Sequence, residues 1–240
     1  MASPFLFFHR IIVERSMIMS DMEKQKKDLR KQIISSAIIY KNHLAGKVFL
    51  YVYGNNFFEV AYRTSCFKHL TGVASCLPAE EFYNKAKEAE LATTQFGFNS
   101  QQPYRTAKKK ITCLHSLPLL TTDHVCVVKD LSTLTITYKM GITNLEFTVG
   151  LTDNLDFSGN KINDWLIPRT LRINDKAFEQ STDVETVDFI FSKGAAEKSY
   201  RELCYASKGA ELPREFLPML DGNLARTFQK EPDRSEAVCL

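Results

Sequence analysis

HVCVVKDLSTLTITYKMGITNLEFTVG, residues 124–150, is the stretch whose periodicity decides the fold class. Residues 124–129 (HVCVVK) are apolar on both faces, as a central strand would be. Residues 133–140 (TLTITYKM) alternate, with Leu134, Ile136, Tyr138 and Met140 on one side and Thr133, Thr135, Thr137 and Lys139 on the other. Gly141-Ile142-Thr143-Asn144 reads as a turn. Leu145, Phe147 and Val149 then alternate with Glu146 and Thr148. A period of two sustained over these segments predicts an antiparallel meander with one wet face. Residues 168–173 (PRTLRI) and 185–191 (ETVDFIF) are two further strand candidates, and 199–205 is a last element of uncertain type.

Working back from the sheet, the N-terminal half reads mainly as helices. Ser20 and Glu23 fit a capping box, and Leu29, Ile33, Ala37, Ile38 and Leu44 follow at helical spacing before Gly46. The spacing predicts a helix over 21–44. Its first half carries Lys24, Lys26, Lys27, Arg30 and Lys31, read as a solvated face. Residues 47–53 (KVFLYVY) and 57–63 (FFEVAYR), separated by Gly54-Asn55-Asn56, predict a hairpin. Pro78, Glu80 and Glu81 open a helix running to about 91, residues 92–104 read as polar loop, and a third helix spans 105–117. On that third helix Ala107, Ile111, Leu114 and Leu117 share a face; Lys108 and Lys109 point away from it and Lys110 sits at its flank. Helices followed by antiparallel strands predict an α+β domain. The expected organisation is a dispensable extension at 1–20, a single domain at 21–206, and a loosely ordered tail at 207–240 with a short helix near 214–229.

Composition bounds the function without choosing it. A 240-residue chain that is 44% hydrophobic and 25% charged is an ordinary globular protein. A net charge of +3 is too weak to argue nucleic-acid binding alone. No apolar run reaches the ~18 residues of a membrane span. The start, with Phe5, Leu6, Phe7, Phe8, Ile11, Ile12 and Val13, is broken by charges; an amphipathic anchor is the alternative to a dispensable extension. The six cysteines lack C-x-x-C spacing, which points to free thiols in a reducing compartment. The five histidines lack metal-ligand spacing, and phosphate-loop, dinucleotide and G-x-S-x-G motifs are absent.

The segment Phe67-Lys68-His69-Leu70-Thr71-Gly72-Val73 falls between a predicted strand and a predicted helix, where loops often carry site residues. Further blocks are Phe82-Tyr83, the Thr106…Lys110…Leu114…Leu117 helix, and Trp165-Leu166-Ile167-Pro168-Arg169-Thr170-Leu171. In order and spacing these blocks, over about 35–205, resemble the phage-associated nucleases of the barnase, EndoU, colicin and RelE group, specifically their fourth subfamily.

The resemblance implies helices on a small antiparallel sheet whose open face holds the site. It implies RNA cleavage without metal or other cofactor, by 2′-OH attack that leaves a 2′,3′-cyclic phosphate. His69 is then the candidate acid/base, Thr71 orients phosphate or ribose, Lys110 offsets phosphate charge, and Arg169 and Thr170 meet the phosphate from the sheet. In a regular strand Arg169 shares a side with Leu171 and Ile173, while Thr170 shares one with Arg172. Arg172 is therefore a reserve cation, and Lys139, on the Thr135/Thr137 face, is another. Pro168 marks a strand edge or start, where the phase slips most readily. The expected partners are an RNA substrate and a neutralising or host protein, with no membrane, in the cytoplasm of a bacterial host. The rival reading is an inactive RNA- or protein-binding module on the same scaffold. Transfer of a nucleotide-derived group is a distant third, without a nicotinamide-binding signature to support it.

Overall fold

The computed structural model describes residues 4–132, 137–173 and 184–229, with side chains described for 21–129, 138, 140–173 and 184–229. Helix α1 spans Pro4–His43, α2 Cys66–Thr71, α3 Ala79–Lys87, α4 Tyr104–Leu114, α5 Leu119–Thr122 and α6 Gly222–Gln229. The strands are β1 Lys47–Tyr53, β2 Asn56–Ala61, β3 Cys126–Ser132, β4 Thr137–Thr143, β5 Phe147–Leu155, β6 Lys161–Ile173, β7 Val184–Thr186, β8 Phe189–Gly194 and β9 Glu202–Ala206. They form one sheet in the order β7-β3-β4-β5-β6-β2-β1-β8-β9.

The fold is α+β, but the sheet is not small. Nine strands among the described residues join it, and β2 runs parallel to β6, with Val60 opposite Leu166. The parallel pair arises because the chain leaves β2 through α2–α5, forms the β3-β4-β5-β6 meander, and returns beside β2.

β1 explains why six consecutive residues are apolar or aromatic after Lys47. Phe49, Tyr51 and Tyr53 pack into the core under the helices, with Leu29, Ile33, Ala37, Tyr40 and Leu44 of α1. Leu50 and Val52 point to the opposite face, into a second core with Phe189, Phe191 and Tyr200. Both faces of this strand are covered, so its sequence cannot alternate in polarity.

That second core corrects the reading of the tail. Phe216, Leu220 and Ala225 are buried against the sheet, and α6 brings Phe228 edge-on to Phe189 and Phe191. Residues 207–229 are thus packed structure. Their prolines and mixed charges hid a pattern set by the sheet face rather than by helical period. Residues 230–240 lie outside the described residues.

Five local expectations change. The helix predicted from Ser20 begins at Pro4 and runs through the capping-box position. The strand expected at 133–140 is displaced to Thr137–Thr143; residues 133–136 lie outside the described residues. Gly141 is inside β4, opposite Val128 and Gly150, and the turn falls at Asn144–Glu146. Asn144 Oδ1 accepts the backbone N–H groups of Glu146 and Phe147 there, and Leu145 takes φ 74°. The wet face of the meander is also closed over Phe147–Leu151. Tyr138 and Thr170 crowd onto Gly150, where a Cβ would lie 2.9 Å from Thr170 Cγ2. Residues 185–191 split into β7 and β8, because Val187 and Asp188 carry the chain between opposite ends of the sheet order.

Among the described cysteines none is in a disulfide; Cys66 is buried, Cys113 and Cys126 are half-buried and Cys76 is exposed. Among the described residues no helix is long and apolar enough to cross a membrane.

Candidate active site

The segment around His69 is a short helix, not the loop its position suggested. In α2, Cys66, Phe67, Leu70 and Thr71 face the core. Phe67 sits edge-on to Tyr40 and Tyr83, which fixes the helix between α1 and α3. The same geometry turns His69 outward. Gly72 closes the helix at φ 69°, the left-handed conformation that favours glycine. Lys68 Nζ donates to the carbonyls of Ser75 (2.9 Å) and Leu77, tying down the loop after the helix.

Opposite α2 stands β6. Its register against β5 slips by one residue: Gly150 pairs with Thr170 but Leu151 pairs with Pro168. Arg169 is the extra residue of this β-bulge. Proline at 168 cannot donate to the ladder, which makes this a natural place for the irregularity. A bulge resets the face on which side chains project. That is how Arg169 and Thr170, which a regular strand sends to opposite faces, both reach the groove between β6 and the helices.

Arg169 Nη1 lies 3.1 Å from His69 Nε2, so the guanidinium donates to a neutral imidazole. This contact spans a cavity of about 300 Å3, whose wall also includes Gly72, Gln101, Thr106 and Lys110. An adjoining outer cavity of about 360 Å3 shares Thr106 and Lys110 and adds Lys109, Thr170 and Arg172. Thr106 and Lys110 are one turn apart on α4, whose buried face is Ala107, Ile111 and Leu114. Lys110 runs across Gly72; a Cβ there would lie 2.7 Å from Lys110 Cδ. Lys110 Nζ then reaches Thr170 Oγ1 at 3.5 Å.

Four of the five predicted residues therefore converge: His69, Lys110, Arg169 and Thr170. Thr71 does not. It is fully buried, its hydroxyl donates to Lys68 O (2.7 Å) and accepts from Val73 N–H (3.3 Å). Its role is to fasten the end of α2. Arg172 lines the outer cavity. Lys139 stands in β4, and its side chain lies outside the described residues. Lys109 points away from the core, as expected, yet still lines the outer cavity. Thr106 and Gln101 are lining residues that sequence reasoning gave no role. The i, i+4 relation of Thr106 to Lys110 was the available signal for the first; nothing marked the second.

The described residues lining both cavities include five cations, one imidazole and no carboxylate. The imidazole is affected accordingly. Its pKa is lowered to about 4, first by partial burial against the cleft wall, then by the positive charges of Arg169 and Lys68. The Lys110 ammonium is pushed below its usual range by burial and then by Arg172. At neutral pH the cleft thus offers a proton-accepting imidazole amid cations, a setting suited to an anion such as a phosphodiester. Among the described residues, no three His, Cys, Asp or Glu side chains gather as a metal ligand set.

A model of the family described as phage-Barnase-EndoU-ColicinE5/D-RelE like nuclease4 matches residues 32–209. No curated protein and no solved structure matches the chain. The matched span runs from the last third of α1 past β9 and takes in every residue of both cavities. With about three quarters of its length matched, the chain belongs to this phage-Barnase-EndoU-ColicinE5/D-RelE like nuclease family.

Proposed function

We propose that the protein is a metal-independent endoribonuclease of phage or prophage origin, working in the cytoplasm of a bacterial host. The observation that carries this reading is the 3.1 Å contact of neutral His69 with Arg169 inside a cleft lined by cations. A phosphodiester entering the cleft draws the Arg169 guanidinium onto its non-bridging oxygens, where the fork donates two hydrogen bonds. His69 Nε2 is then released to accept the 2′-OH proton. The 2′-oxygen attacks phosphorus, the P–O5′ bond breaks, and a 2′,3′-cyclic phosphate remains. The leaving 5′-oxygen takes a proton from the Lys110 ammonium, whose lowered pKa favours donation. Lys110 also offsets the charge of the phosphorane, and Thr170 holds Lys110 in reach.

The test is cleavage of mixed RNA in EDTA by wild type and His69→Ala, with analysis of fragment ends. Cyclic-phosphate ends that disappear in the variant support the reading. Cleavage undiminished in the double variant His69→Ala/Lys110→Ala refutes it. Salt-dependent RNA binding without turnover would move the protein to the class of binding modules on this scaffold.

A further inference from the structure

A third cavity, of about 470 Å3, shares Ser75 and Gln102 with the His69 cavity and no residue with the Arg172 cavity. Its chemistry differs from theirs. No charged side chain lines it; its polar groups include the amides of Gln95, Asn99 and Gln102 and the hydroxyls of Ser75 and Thr94. We propose that this cavity is a nucleobase subsite, in which Gln102 reads the base attached to a ribose flanking the scissile phosphate. The inference rests on the ribonuclease reading of the adjoining cleft.

The argument begins with charge. A phosphodiester strand presents an anionic backbone and neutral bases, and the protein presents a cation-lined cavity joined to a neutral, amide-lined one. Amides are the side chains that pair with the donor and acceptor edges of bases. Stacking is not the means here, since Phe96 is buried in the cavity floor, edge-on to Phe98 and under the Lys26 ammonium. Hydrogen bonding is left as the source of recognition, and hydrogen bonding distinguishes bases.

The groups that would do this are held on a fixed backbone. Asn99 Oδ1 accepts the N–H groups of Gln101 (3.0 Å) and Gln102 (2.8 Å), and Asn99 and Gln102 exchange backbone hydrogen bonds. Pro103 follows and opens α4. The loop from 93 is fastened from the other side, where Lys26 Nζ reaches Thr93 O and Ala74 pairs with Gly97. Asn99 is thereby left with its NH2 as donor. The side-chain amide of Gln102 makes no hydrogen bond among the described residues and offers both a donor and an acceptor. The backbone of the turn is already held, so the ordering cost of binding a base falls on the exposed Gln102 side chain alone, about 0.5–1.5 kcal/mol.

The experiment uses short oligonucleotides made uncleavable by a 2′-deoxy ribose at the scissile step. One parent carries all its bases; two others are abasic, on the 5′ or the 3′ side of that phosphate. Dissociation constants are measured by fluorescence anisotropy for wild type, Gln102→Ala and Gln102→Glu, with cleavage of the all-ribo parent followed in parallel. Two lost hydrogen bonds predict that removing the base on one side weakens wild-type binding about tenfold. Gln102→Ala and Gln102→Glu should weaken the parent by a similar factor and make the abasic loss nearly disappear. An abasic loss of equal size in wild type and both variants, or no binding of any oligonucleotide, overturns the inference. If discrimination holds while the all-ribo parent stays uncut, the subsite stands and the ribonuclease reading falls. If the parent is cut while the abasic losses are equal, the subsite alone falls.

Discussion

Replacing Arg169 by Gln should raise the pKa of His69, by an amount the structure bounds. The imidazole titrates at about 4 in the folded protein against an ordinary value near 6.5. Partial burial is the larger cause and survives the substitution; the guanidinium at 3.1 Å is the second and does not. A unit charge about 4 Å away is worth roughly 1 kcal/mol in water and ~4 kcal/mol in a moderately screened site. The outer edge of His69 is open to solvent, so the low end applies, about 1 kcal/mol. That corresponds to a little under one pH unit, and the midpoint should move from about 4 to roughly 5, short of 6.5. The assay is NMR titration of the labelled imidazole, assigned with His69→Asn. High salt should raise the wild-type midpoint more than that of Arg169→Gln, where only the charge of Lys68 is left to screen. A midpoint unmoved or lowered in the variant would refute the claim that Arg169 helps to lower the His69 pKa. His69 titrates lower folded than unfolded, so its protonation costs stability as pH falls from about 6.5 toward about 4. Arg169→Gln should reduce that loss.

Two further outcomes follow from the packing. Gly72→Ala forces an L side chain to φ 69° and drives its Cβ to 2.7 Å from Lys110 Cδ. The strain should cost about 1–2 kcal/mol in denaturant unfolding, and RNA cleavage should fall further than stability because Lys110 is displaced. Phe216→Ala should cost about 3–5 kcal/mol in the same measurement, since Phe216 is buried in the second core; a loss under 1 kcal/mol would mean the C-terminal segment is not integral.

The residues of the site were legible one by one, but their arrangement was not. His69, Lys110, Arg169 and Thr170 stood out through a family resemblance, and Lys110 also through its place at the flank of the α4 apolar face. The strand phase argued against Arg169 and Thr170 acting together. The bulge at Arg169 overrides that phase, and a bulge depends on pairing with β5, which no local period encodes. Thr71 was misread because Thr-Gly turn chemistry and a ligand-facing hydroxyl look alike in sequence; burial and the bond to Lys68 separate them.

Sequence by itself determined that the chain is α+β, because hydrophobic period is a local property: 3.6 along Leu29, Ile33, Ala37 and Leu44, and 2 along Phe147 and Val149. It also indicated the hairpin of β1 and β2, through the turn between two aromatic, β-branched runs. Only the tertiary structure decided the size of the sheet, the parallel pairing of β6 with β2, and the use of residues 207–229 to cover its second face. Those outcomes depend on which distant surfaces meet. Leu50 and Val52 read as apolar whichever element buries them, and the chain segment that does so lies more than 150 residues away. The cleft has the same origin, since His69 and Arg169 come together only when α2 and β6 pack across the sheet.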